Sequence, residues 1–362
     1  MNDEIKKPKR LKRIAQWIRT HRTRTIIIVG VLLIAIAGTV AYLVLSQKTA
    51  EITMAHITPK PKPKPVVYYS PLTGEQVADE AATKQPVTAI MIENSPDARP
   101  QSGLKQSGVV YEAIAEGGIT RFLTLHQQDK PQLIGPVRSL RLYYVDWLAP
   151  YNASVAHVGG SLFALQEIRN GKYRDIDQFF NAGTYWRATD RYAPHNVYTS
   201  FAKLDALNAA KGYTESTFTG FSRIDGKPHD APNATNVTIN ISGPLYNTSY
   251  TYDKAANRYN RLLGGVPHVD REEGAITPSV VIALKVDMTR VLEDGYRQDI
   301  KANGTGQAVI FQNGTAQEVT WTKPDRASQI SFKDASGKDV PLVRGQTWIS
   351  AVPNGSGSVS WQ

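Results

Sequence analysis

The chain is 362 residues long, with 42 basic and 32 acidic residues, a formal charge of +10 and no cysteine. The missing cysteine excludes disulfides, thiolate-bound zinc, a cysteine nucleophile and a cysteine-borne lipid. Residues 1–25 carry nine basic against two acidic side chains and residues 46–65 four against one, so residues 66–362 are net neutral and no nucleic-acid partner is expected.

The basic residues Lys6, Lys7, Lys9, Arg10, Lys12, Arg13, Arg19, Arg22 and Arg24 lead into twenty uncharged residues, Ile26 to Leu45. Twenty helical residues rise about 30 Å, the thickness of a bilayer's hydrocarbon core. Residues 26–45 therefore read as a transmembrane helix, and residues 1–25 as a cytoplasmic basic tail under the positive-inside rule. A cleaved signal peptide fits less well, because its apolar run is usually about 7–15 residues and ends in a small-residue site. Everything after Leu45 is then expected outside the cell membrane, in a single-pass arrangement. Lys and Pro alternate from Lys60 to Pro65, so residues 46–65 read as an extended, semi-rigid spacer.

Beyond the spacer, residues 66–228 read as a layered α/β domain. Val87 to Ile92, Val109 to Ile114, Thr120 to Leu125 and Ser154 to Val158 have the apolar density of buried strands. Leu140 to Leu148, Leu162 to Asn170 and Ser200 to Lys211 read as helices, the last with Ser200 as its N-cap and Gly212 past its end. The polar stretch Asp225 to Asn233 marks a boundary. Residues 229–362 then read as a smaller, mostly β domain. Its strands are Asn236 to Ile241, Ser249 to Tyr252, Val280 to Val286 and Gln307 to Phe311, with a hairpin turn at Asn313-Gly314. Trp321, Phe332 and Trp348 supply bulk for its core. The fold class is α/β (α+β).

The chemistry-bearing residues concentrate beside strands and glycines of the first domain. Glu93, Asn94 and Arg99 follow a buried strand, Glu112 and Glu116 precede a Gly117-Gly118 turn, and Arg121 lies just beyond it. Arg138 and Arg141 are followed by Asp146, His157 and Ser161 flank Gly159-Gly160, and His195 and Asn196 sit in a loop. Such a set can line a cleft at the strand ends of an α/β sheet. A guanidinium fork suits carboxylate or phosphate groups. Mutual pairing of the acids and arginines in the interior accounts for the same residues equally well. Gly159-Gly160-Ser161-Leu162-Phe163 lacks the second glycine of a nucleophile elbow, so Ser161 reads as a helix cap rather than a nucleophile. His157 and His195 lack metal-ligand spacing, and no metal or cofactor is expected. Glu112 and Glu116 are candidates for acid–base cleavage of a glycoside only if the fold sets their separation.

Four segments carry a resemblance. They are Met91-Ile-Glu-Asn-Ser-Pro-Asp-Ala-Arg-Pro-Gln-Ser-Gly-Leu104, Tyr111-Glu-Ala-Ile-Ala-Glu-Gly-Gly-Ile-Thr-Arg-Phe122, Gly135-Pro-Val-Arg-Ser139 and Ala193-Pro-His-Asn-Val-Tyr-Thr-Ser200. Together with Tyr259-Asn-Arg261, Pro267-His-Val-Asp270 and the β region from Gly304 to Pro353, they resemble the YerB-like family of DUF3048 proteins. The resemblance implies an α/β first domain, a mostly β second domain and an extracytoplasmic location, and it carries over no catalytic residue. Family members are often lipoproteins, whereas this chain has an apolar helix and no cysteine. The expected function is a membrane-anchored envelope protein binding a polar or anionic ligand such as a cell-wall fragment. A hydrolase of envelope polymers working through Glu112, Glu116, His157 or His195 is the alternative, and a module binding a protein partner the third reading.

Overall fold

The computed structural model describes residues 9–54, 66–290 and 297–362, in two units divided at Val66. The first unit holds helices α1 (Lys9–Thr20) and α2 (Arg22–Met54). Within α2 the stretch Arg22–Lys48, 27 residues, is long and apolar enough to cross a membrane. The helix continues through residues 46–54, where an extended spacer was expected. No proline interrupts the chain between Pro8 and Pro59, so nothing there removes a helical hydrogen bond. The Lys60–Pro65 alternation, like the tail residues 1–8, lies outside the described residues.

In the second unit, β1 (Thr88–Glu93), β2 (Val109–Glu116), β3 (Ile119–His126), β4 (Ser154–Ala156) and β5 (Arg174–Asp175) come from the first part of the chain. A small sheet follows, made of β6 (Asn236–Asn240), β7 (Thr248–Asp253), β8 (Arg258–Leu263) and β9 (Val266–Pro267). Then come β10 (Val280–Val286), β11 (Gly304–Gln312), β12 (Thr315–Lys323), β13 (Ser331–Lys333), β14 (Thr347–Pro353) and β15 (Ser358–Trp361). Ten of these form one mixed sheet in the order β13-β12-β11-β10-β14-β2-β3-β1-β4-β5, and the other five pair as β9-β8-β7-β6-β15.

Strand β14 decides the architecture. It lies between β10 and β2, parallel to both, with Val281 opposite Trp348 on one side and Val110 opposite it on the other. The large sheet therefore crosses the expected boundary at residues 228 and 229 without a break. Trp348, expected in a second core, packs edge-on against Phe122 of β3 with centroids 5.3 Å apart. Every residue of β14 is buried, which removes the period-two alternation that marks a half-exposed strand.

One face of the sheet, through Ala89, Met91, Tyr111 and Ile282, buries α3 (Leu142–Leu148) and α4 (Leu162–Ile168). The opposite face is shared. Ile90, Ile92 and Val110 pack on Phe201 and Leu204 of α5 (Phe201–Ala210), while Val281, Ala283 and Phe311 pack on Val237, Ile239 and Tyr250 of the small sheet. Local signals hold at particular points. The Ser200 hydroxyl accepts from the Lys203 amide at the start of α5. Asn313 and Gly314 both take positive φ, 57° and 77°, in the turn joining β11 to β12.

Because β14 completes the bonding of β2, residues 67–228 produced alone are expected to stay unfolded, with collapsed amide dispersion in NMR spectra. Adding residues 229–362 should restore dispersion. A well-dispersed spectrum from residues 67–228 by themselves would refute the shared sheet.

Candidate functional site

Cross-strand register brings much of the acid–arginine set together. In the β1–β3 pair Glu93 lies opposite Arg121, so both project from the same face at the strand ends. Residues 135–141 cross those ends, held by the Arg138 amide donating to the Met91 carbonyl oxygen at 2.9 Å. Glu93, itself buried, accepts from His195 Nδ1 at 2.9 Å and from Ser95 Oγ at 3.0 Å through Oε1. Its Oε2 lies 3.2 Å from Arg138 Nε, an ion pair.

The row continues through Arg121, whose Nη1 donates to the Ser139 carbonyl oxygen and whose Nη2 donates to Glu116 Oε1, both at 2.7 Å. Arg141 closes the row on the second oxygen of the same carboxylate, with Nε 3.1 Å from Glu116 Oε2 and Nη2 bonded to it as well. Burial pushes the Glu116 carboxyl up, but the charges of Arg121 and Arg141 and their hydrogen bonds outweigh it and bring it down to about 2. Three arginines thus stand over two carboxylates. At the Arg141 end a cleft of about 160 Å³ opens, lined by Tyr143, Ser161, Phe163 and Arg297 among others. At the other end Arg138 and His195 keep 23% and 22% of their side chains exposed.

Other expected site residues serve the interior. Glu112 is fully buried, and its carboxylate accepts from Arg261 Nη2 at 2.7 Å, Trp348 Nε1 at 3.0 Å and Thr120 Oγ1 at 3.1 Å. Arg261 Nε donates to His268 Nδ1, which makes the His268 ring neutral with its proton on Nε2, donating to Gln101 Oε1 at 3.1 Å. Burial, then the Arg261 charge, holds His268 well below the usual histidine range, in agreement. Gln101 Nε2 donates to Asn94 Oδ1 at 2.9 Å, and Asn94 Nδ2 to Thr120 Oγ1 at 2.7 Å, closing a ring of six side chains. Arg99 joins it through Asn94 Oδ1 and reaches the Leu245 carbonyl oxygen.

Both nitrogens of His157 face acceptors, the Gly159 carbonyl oxygen at 2.7 Å and Asp175 Oδ1 at 3.0 Å. Asp146 pairs with Arg326. Asn196 accepts from Arg187 and donates to the Ala188 and Arg191 carbonyl oxygens, tying its loop closed. Ser161 occupies the N-cap position of α4 without a side-chain capping bond.

The sequence reading passed over Arg261 and His268 as site residues. The signal for Arg261 lies in β8, where Tyr259, Arg261 and Leu263 share the buried face. A charge at an apolar register position demands a buried partner. His195 and Glu93, 102 residues apart, carry no local sign that they meet.

Residues 72–214 match the family described as the N-terminal domain of DUF3048, a protein of unknown function, and residues 237–349 match its C-terminal domain. A Bacillus subtilis (strain 168) protein named "Putative lipoprotein YerB" is 34% identical over 289 residues, which make up 79% of this chain and 86% of that one. The crystal structure of the YerB protein from Bacillus subtilis aligns with a TM-score of 0.73 at 31% identity, covering 81% of this chain and 99% of that one.

The clamp on Glu116 has a pH signature. Its carboxyl titrates at about 2 in the folded chain against 4.5 without its partners, so the folded form holds its proton less tightly. The stabilisation is therefore complete above about pH 4.5 and is lost as the pH falls toward 2. Urea unfolding of Glu116→Gln should show a deficit on the order of 2 kcal/mol at pH 7 that shrinks between pH 4.5 and pH 3. A deficit that stays constant over that range would contradict the clamp.

Proposed function

The chain belongs to the DUF3048 family, and from that premise we propose that it is a single-pass membrane protein of the bacterial envelope whose exported body binds an anionic ligand. The tether is the apolar stretch Arg22–Lys48, in place of the lipid that the relative's name implies. The basic residues before it favour a cytoplasmic N-terminus.

The observation that carries the binding reading is the state of Arg138. Among the described residues the Arg138 side chain pairs only with Glu93, through Nε, so Nη1 and Nη2 remain a free fork. The other arginines of the set are committed, Arg99 to Asn94 and Leu245, and Arg121 and Arg141 to Glu116. A fork braced at Nε and open at both Nη atoms matches the planar oxygens of a carboxylate or phosphate. Partial burial strengthens the attraction over its value in water. Peptidoglycan stem peptides, which end in carboxylates, have this chemistry.

A second reading rests on His195. With Nδ1 hydrogen-bonded to Glu93, its Nε2 points away from the carboxylate and lies 3.9 Å from Asp97 Oδ2. A carboxylate-oriented imidazole whose Nε2 is held by no hydrogen bond is the arrangement of a general base. Glu112, Glu116 and His157 do not share this freedom, being fully engaged by their partners.

Titrating the full chain in lipid nanodiscs with soluble muropeptides is expected to give saturable binding that weakens with added salt. Arg138→Ala should lower affinity roughly tenfold and Arg138→Lys less. Absent binding, or binding that survives Arg138→Ala unchanged, would overturn the proposal. Release of products from purified cell wall that stops in Glu93→Gln would favour the hydrolytic reading instead.

A further inference from the structure

A second recess lies on the hairpin loop that carries His195. Trp186 and Arg187 pair with Tyr198 and Val197, and the loop between them runs from Ala188 to Asn196. With Leu133, Asp190 and Arg271, this hairpin lines an open cleft of about 360 Å³. Each of its charged groups already has a polar partner, Arg271 Nη2 with Asp190 Oδ2 at 2.7 Å and Arg187 Nη1 with Asn196 Oδ1 at 2.8 Å. The cleft therefore differs from the arginine row, where the Arg138 fork is open at both Nη atoms.

Trp186 is 36% exposed, and among the described residues its ring stacks on nothing and its Nε1 has no hydrogen-bond partner. Tyr198, fully buried, lines the same cleft, and its hydroxyl forms no well-aligned hydrogen bond. An uncommitted indole face beside a carboxylate, two guanidinium groups and a phenol is the chemistry that receives a sugar ring. The ring's C–H face covers the indole, while its hydroxyls donate to the carboxylate and accept from the guanidinium N–H groups.

We infer that the Trp186–Tyr198 cleft binds one sugar ring of an uncharged glycan strand, with Trp186 as the platform and Asp190, Arg187 and Arg271 bonding the ring hydroxyls. The site stands independently of anion binding at Arg138, because no hydrogen bond or ion pair joins any of its residues to that side chain.

The test is calorimetric titration of the full chain with chitotetraose, in nanodiscs so that no sugar-headed detergent competes. Saturable binding is expected, weakened at least about tenfold by Trp186→Ala and much less by Trp186→Phe, which keeps a stacking face. An unchanged melting temperature in Trp186→Ala would show that the loss is local. Arg138→Ala should leave chitotetraose binding intact, which separates this inference from the fate of the anion site. No binding at millimolar chitotetraose, full binding in Trp186→Ala, or loss in Arg138→Ala equal to that in Trp186→Ala would overturn it.

Discussion

The carboxylate of Glu112 and the guanidinium of Arg261 meet at 2.7 Å with both side chains fully buried, and much of the second unit is arranged around that contact. Two charges leave water only if each finds its complement together with further hydrogen bonds. Here the surroundings supply them. Trp348, Thr120 and Ser350 donate to Glu112, while Arg261 donates to His268 and Tyr250 and lies with its planar group 4.0 Å from the Trp348 ring centre. The partners come from β2, β3, β7, β8 and β14, so the pair is satisfied only when the large sheet, the small sheet and β14 are all in place. A buried pair of this kind contributes less to total stability than to the choice of one arrangement over its rivals, which here is the register of β14 against β2.

The site inherits that constraint. Glu112 and Thr120 are bonded across the β2–β3 hairpin, which sets the pairing that continues to Ala113 opposite Arg121. One residue of slip would send Arg121 to the opposite face and away from Glu93 and Glu116. The closed ring beneath is a scaffold with no group left over for a ligand. The open chemistry lies where the ring ends, at Arg138 and His195. The division between an inert polar interior and an exposed row explains why so many acids and arginines occur together in a chain whose residues 66–362 are net neutral.

Local structure was legible wherever a short-range rule governs it. Apolar runs located β1 to β3, the Ser200 cap located α5, and Asn313-Gly314 located a hairpin. What escaped was non-local. Strand β14 pairs in parallel with partners far away in sequence, and parallel pairing leaves no turn residue to announce it. At the site the residue types were legible but not their division of labour. Glu112 and Glu93 both precede or follow glycine- or proline-rich turns in the sequence, yet one meets a buried arginine and the other a partly exposed histidine. That difference is decided by which strand supplies the opposing side chain. Trp186 gave no signal because a lone tryptophan in a polar loop has no periodicity to interpret.

The central claim is that Glu112 and Arg261 act as one unit joining the two parts of the chain, and a double-mutant cycle tests it most directly. Glu112→Gln, Arg261→Met and the double variant would be compared by urea unfolding. Each single change should cost on the order of 3–5 kcal/mol by stranding a buried charge, and the double variant well under the sum of the two. Additive losses, with no coupling energy, would contradict the account.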